Sequence, residues 1–109
     1  MPDQVLNATL QQGVLALRFE GPVTQYNADA VMTAIEESRN NARTVEVDLD
    51  GVSSTDMYVV AVTSKLQRLC DEQGQTFRTK NGRPDVEKAL HQLMERWQNG
   101  DRKTGPPLP

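Results

Sequence analysis

Between Thr44 and Cys70 the chain reads TVEVDLDGVSSTDMYVVAVTSKLQRLC, and within it the spacing of apolar residues changes once. Val45, Val47 and Leu49 fall on every second position, the period of a strand with one buried and one wet face. Val59, Val62, Leu66, Leu69 and Cys70 then recur at helical spacing, with Lys65, Gln67, Arg68, Asp71 and Glu72 on the other side. Between the two periods, Gly51-Val52-Ser53-Ser54-Thr55-Asp56 supplies turn residues and short side-chain oxygens of the kind that cap a helix's first turn. The spacing predicts a strand, a tight polar turn, and a helix starting near Asp56 with Thr55 and its neighbours as caps.

Working outward toward the N-terminus, Val5–Leu10 and Val14–Phe19 are short apolar runs divided by Gln11-Gln12-Gly13, which reads as a hairpin with glycine supplying the positive φ. Gly21-Pro22 ends the second run. Ala28, Val31, Met32 and Ile35 mark a first helix, capped by Thr24 or Asn27 and ending in Ser38-Arg39-Asn40-Asn41. Toward the C-terminus, Gly74 closes the second helix and Gln75–Lys80 forms a polar strand. Pro84 and Asp85 suit the first turn of a third helix, whose stripe is Val86, Ala89, Leu90, Leu93, Met94 and Trp97.

The resulting order β-β-α-β-α-β-α predicts an α/β fold: a mixed four-stranded sheet, parallel apart from the N-terminal hairpin. Because the strands alternate, the helices are expected mainly on one face. On the other, Glu46, Asp48 and Asp50 would lie between Arg18 and the pair Arg78 and Lys80, reading as a solvated charged face rather than a partner surface.

At 109 residues the chain is expected to form a single domain over 1–98, followed by a disordered proline-rich tail over 99–109. It carries 12 basic and 15 acidic side chains, a net charge of -3, without a basic stripe, which argues against nucleic acid. No apolar run approaches the roughly 20 residues needed to cross a bilayer. The N-terminus lacks the basic start and apolar run of a secretion signal, so the expected location is cytoplasmic.

Nothing in the sequence assembles a catalytic site. His91 is the single histidine and falls on the polar side of its helix, and Cys70, the single cysteine, falls on a buried face. One histidine and one cysteine do not make a soft-metal site, and Asp48, Asp50 and Asp56 do not share a face. No phosphate-binding glycine loop is present, so no catalytic residue, metal or cofactor is expected. Met57 and Tyr58 stand out instead, because both precede the apolar stripe of the helix. Two readings stay open for them: packing beneath the first helix, or an exposed pair suited to a protein contact.

These segments together resemble a known family. Leu17-Arg18-Phe19-Glu20-Gly21-Pro22-Val23-Thr24 is similar to the strand-to-glycine entry of STAS domains (sulfate transporter and anti-sigma factor antagonist), and Val45–Val52 to their hydrophobic third strand. Gly51–Asp56 resembles that family's switch loop, and Gly74-Gln75-Thr76-Phe77 and Arg83-Pro84-Asp85-Val86 its later glycine-strand and proline-helix junctions. The resemblance, over roughly residues 5 to 97, implies a STAS-like α/β fold and a non-catalytic interaction module. It implies partner binding through Ser53, Ser54, Thr55, Asp56, Met57 and Tyr58. Two departures qualify it. In the sigma-factor switches an aspartate is followed by a phosphorylated hydroxyl; here Asp56 matches the aspartate and Met57 occupies the phosphoacceptor position. The family also commonly continues with a further strand and helix, so the sheet is either shorter or leaves an edge for a partner. The implied functions are, first, an anti-sigma factor antagonist-like regulator of transcription that binds an anti-sigma factor or serine kinase without the phospho-switch. The second is a STAS subunit bracing the ATPase of a phospholipid-transport ABC system, and a self-associating homodimer is a third arrangement.

Overall fold

In the computed structural model, which describes residues 5–97, the two alternating runs Val14–Phe19 and Thr44–Asp48 become the central strands of one sheet. The strands are β1 (Leu6–Gln11), β2 (Val14–Phe19), β3 (Thr44–Asp48) and β4 (Thr76–Lys80), in the order β1-β2-β3-β4. The helices are α1 (Ala28–Ser38), α2 (Met57–Gln73) and α3 (Pro84–Arg96), and a single 3-10 turn, Arg39–Asn41, follows α1. β1 and β2 are antiparallel, whereas β2, β3 and β4 are parallel. Both crossovers, β2-α1-β3 and β3-α2-β4, step across the sheet in the same direction, and the strong preference for right-handed crossovers then places their helices on one side. The expected architecture is therefore present. The proline-rich segment expected at 99–109, and the outer limits of the domain, lie outside the described residues.

Burial follows the strand alternation. Leu15, Leu17, Val45, Val47 and Leu49 are all 1% exposed or less, and they meet Val31 and Ile35 of α1, Val59 and Leu66 of α2, and Val86 and Leu90 of α3 in one core. α2 touches both α1 and α3, so it is buried over a wider arc than its stripe suggests. Val60, Thr63 and Ser64 are buried as well, while Leu69, expected inward, is only partly covered. Cys70 is fully buried, and burial pushes its thiol up, an effect that the nearby Arg39 guanidinium opposes.

Several local details differ from the sequence reading. In the hairpin both Gln12 (φ 53°) and Gly13 (φ 80°) take positive φ, as the two-residue turn that matches strand twist requires, so glycine is not the sole left-handed residue. The Gly13 carbonyl accepts the Arg43 and Thr44 N–H groups at 2.8 and 3.1 Å, tying the turn to the start of β3. β3 ends at Asp48, not Asp50, because the Asp48 carboxylate accepts the Asp50 N–H at 2.9 Å and bends the chain. Asn27 is the residue before α1, but its side chain caps nothing there. Its amide instead accepts the Thr24 N–H at 2.7 Å and donates to the Pro22 carbonyl at 3.1 Å, closing the preceding loop.

The 3-10 turn at Arg39–Asn41 is pinned by a polar cluster that is buried at Arg39 and partly open at Gln73 and Gln75. Arg39, 5% exposed, donates through Nη1 to the side-chain oxygens of Gln73 and Gln75 at 2.9 and 2.7 Å. Gln75 Nε2 in turn donates to the Arg39 and Ala42 carbonyls, both at 2.8 Å. The end of α1, the end of α2 and the entry to β4 are thereby joined. On the opposite, helix-free face, Arg78 and Lys80 reach Glu46 at 2.9 and 3.7 Å and Arg18 reaches Asp50 at 3.9 Å. Such exposed pairs contribute about 0–1 kcal/mol each.

Asp48 on that face pairs less with the cations than expected. Its carboxyl is held below its ordinary value of 3.8 chiefly by the Asp50 N–H and the Asn81 amide, with Lys80 and Arg18 adding attraction. A depressed native value means a contribution to stability that is present above the ordinary value and is lost as pH falls through the native one. Acid titration of unfolding should therefore show a steeper loss below pH 3.8 for the wild type than for Asp48→Asn. The carboxylate is largely solvated, so the difference is small, and equal acid limbs for the two proteins would remove Asp48 from the acid response.

Candidate functional site

The loop from Gly51 to Asp56 lies at the C-terminal end of the sheet, where β3 hands over to α2. Gly51 has φ 83°, which a side chain rarely allows, and the Val52 N–H donates to the Leu49 carbonyl at 3.0 Å. Val52 is buried and anchors the loop, so the polar residues after it are turned outward. Asp56 is the N-cap residue of α2, which places the helix start where the sequence puts it.

The hydroxyls do not act as helix caps, however, and no side chain bonds the first-turn N–H groups at Asp56. The Asp56 carboxylate instead reaches back to accept the Ser53 N–H at 2.8 Å and lies 3.4 Å from the Ser53 hydroxyl. The Ser53 and Thr55 hydroxyls bond each other at 2.7 Å. Ser54 turns the other way: its hydroxyl beside the Asp85 carboxyl, in the first turn of α3, is the chief cause that holds that carboxyl below its ordinary range, with Arg83 at 3.7 Å adding attraction. The loop is thus closed on itself by Ser53, Thr55 and Asp56, with Ser54 turned toward the start of α3. Sequence reasoning missed the Ser54–Asp85 link because no periodicity joins residues so far apart in the chain.

What the closed loop presents is apolar. Met57 is 72% exposed and Tyr58 40% exposed, so Met57 does not pack beneath the first helix, while Tyr58 is partly covered and partly in water. Ala61 and Lys65, one and two turns further along α2, are also exposed and continue the strip. Beside it, a cleft of about 350 Å³ is bounded by Gly21 and Pro22 from the loop after β2 and by Asp50, Asp56 and Val59. The side chains expected at the site, Ser53, Ser54, Thr55, Asp56, Met57 and Tyr58, are therefore adjacent. They form a hydrogen-bonded polar rim beside two exposed hydrophobes.

This geometry suits recognition. At the position after Asp56 a phosphoacceptor would need an oxygen or nitrogen nucleophile, and Met57 there carries a thioether; the nearest exposed hydroxyls are those of Ser54, Thr55 and Tyr58. His91 stands on α3, exposed, with Nε2 3.2 Å from Glu95. Among the described residues no three His, Cys, Asp or Glu side chains are grouped to hold a metal ion, and no helix is long and apolar enough to cross a membrane.

The family described as "Mlab, STAS domain" matches residues 6–97, which runs from the start of β1 to the residue after α3. No curated protein matches the chain. STAS domains are in general non-enzymatic modules that mediate contacts between proteins. With a match that takes in the whole described sheet and all three helices, the chain belongs to the STAS domain family.

Proposed function

We propose that this chain is a constitutive, non-catalytic docking subunit that holds a protein partner through the start of α2. The contact comprises the rim Ser53–Asp56, the projecting Met57 and Tyr58, and the exposed strip through Ala61 and Lys65. The observation that carries this reading is Met57, 72% exposed at the first position of α2. An exposed methionine beside a tyrosine fits the adaptable, aromatic-rich centre of a protein interface. The small Ala61 side chain leaves a partner room to approach the helix.

Of the partners the resemblance implies, the ATPase of a phospholipid-transport ABC system suits the chain best. A subunit that braces an ATPase needs permanent occupancy, and a thioether at the switch position provides no handle for release by phosphorylation. The matching family description, moreover, is that of Mlab rather than of a sigma-factor regulator. The second reading is an anti-sigma factor antagonist-like regulator bound to an anti-sigma factor or serine kinase. It is favoured by Asp56, the aspartate of the switch loop, and by the Ser53 and Thr55 hydroxyls beside it. Both partners go with a cytoplasmic location.

The test is capture of partners from native cytoplasm and solubilised membranes, comparing wild type with Met57→Asp/Tyr58→Ala and confirming by circular dichroism that both are folded. The expected result is an ABC ATPase retained by wild type and weakened at least about 30-fold in the variant, the effect of losing one interface hot spot. Recovery of an anti-sigma factor or kinase would select the second reading. Equal retention by both proteins would move the interface away from α2.

A further inference from the structure

The two edges of the sheet differ in a way that bears on self-association. β4, Thr76-Phe77-Arg78-Thr79-Lys80, carries two cations, a common protection against strand addition. β1, Leu6-Asn7-Ala8-Thr9-Leu10-Gln11, carries no charge and no proline. The Glu20 N–H donates to the Val5 carbonyl at 2.7 Å, and bonded pairs in an antiparallel ladder recur at every second residue. Asn7, Thr9 and Gln11 therefore bond β2, and Leu6, Ala8 and Leu10 turn their N–H and C=O groups outward. The side chains of those same three residues stand opposite Phe19, Leu17 and Leu15 and so share the helix side of the sheet.

α1 covers that apolar strip incompletely. A groove of about 310 Å³ remains between β1 and α1, lined by Leu6 and Ala8 on one side and by Ala30, Val31, Ala34 and Ser38 on the other. Leu10, on the same side of β1, is 44% exposed.

We propose that a second copy of this chain covers this edge, its β1 running antiparallel to the first so that the two sheets join into one. The strand is its own complement. With Ala8 opposite Ala8 of the second copy, each Leu6 meets a Leu10 on the groove side, and outward donors face outward acceptors in both directions. No like charges meet, whereas the same operation on β4, centred on Arg78, would bring Arg78 against its own copy. Ala30, Ala34 and Ser38 are small enough for the two α1 helices to close over the joined strands, which matters because a strand pair alone is marginal in water. This surface is separate from the start of α2, so the dimer leaves Met57 and Tyr58 free for the docking partner.

The test is sedimentation equilibrium of the full chain over a wide concentration range, with Ala8→Pro and Leu10→Lys as variants. Proline at position 8 removes an outward N–H while sparing the bonds to β2, and lysine at position 10 puts a charge on a half-exposed edge position. The expected result is a wild type that reaches twice the monomer mass while both variants stay monomeric with unchanged circular dichroism. Amide exchange at Leu6, Ala8 and Leu10 should slow with concentration in the wild type alone. If Ala8→Pro unfolds, Leu10→Lys decides. A wild type that stays monomeric throughout, or a dimer that survives Leu10→Lys, overturns the proposal. Partner capture through Met57 should be unaffected in both variants, so failure here and failure of the docking reading are distinguishable.

Discussion

Leu66→Ala is expected to lower the unfolding free energy by about 2–5 kcal/mol, the range for truncating a buried leucine to leave a cavity. Leu66 is 1% exposed in the middle of α2, which lies between α1 and α3 and against the sheet. Three elements would have to shift together to refill the space, so relaxation is limited and the upper half of the range is expected. A domain of this size has about 5–15 kcal/mol in total, so the variant should be near the threshold of folding. The control is Leu10→Ala, at a residue 44% exposed, where less than about 1 kcal/mol is expected for the monomer because little apolar surface leaves water. Urea unfolding at dilute concentration measures both. Similar losses in the two variants would mean that the core is not centred on α2.

Gln75→Leu is the second large effect, with about 1–3 kcal/mol expected from unpairing partly buried polar groups. One side chain of Gln75 serves three partners: it accepts from Arg39 Nη1 and donates to the Arg39 and Ala42 carbonyls. Leucine fills similar volume but leaves two carbonyls and part of a buried guanidinium without their bonds. Arg39→Met should cost less, although it removes the side chain at the centre of the cluster. Among the described residues no carboxylate forms an ion pair with Arg39, so methionine also removes a buried charge whose desolvation is uncompensated by an acid. The order of the two variants in urea unfolding is the test: a costlier Arg39→Met would mean that the guanidinium, not the amide, holds the 3-10 turn.

These two predictions draw on different kinds of information. The role of Leu66 is legible from spacing, because Val59, Val62, Leu66 and Cys70 mark one helix face wherever that helix sits. The role of Gln75 is not. Gln75 reads as the polar start of a weak strand, and its partners Arg39 and Ala42 enter only when the ends of α1 and α2 are brought beside β4. The candidate site divides in the same way. The short polar turn and the change of period at Asp56 placed the helix start correctly, and the misfit of Met57 and Tyr58 with the apolar stripe drew attention to them. Their exposure, the reversal of Asp56 toward Ser53 and the turning of Ser54 toward Asp85 depend on which elements pack around the loop.

By itself the sequence determined what is periodic or stereochemically constrained: the four strands, the three helices, their order, the one-sided sheet and the glycine that ends α2 at φ 75°. Hydrophobic period and turn chemistry act over a few residues, so they can be read locally. Only the tertiary structure decided which strands form the edges of the sheet, which of the described hydrophobes remain in water, and which buried polar groups find partners. Those outcomes depend on distances between segments far apart in the chain, and they are set by the packing of α1, α2 and α3 on one face of the sheet.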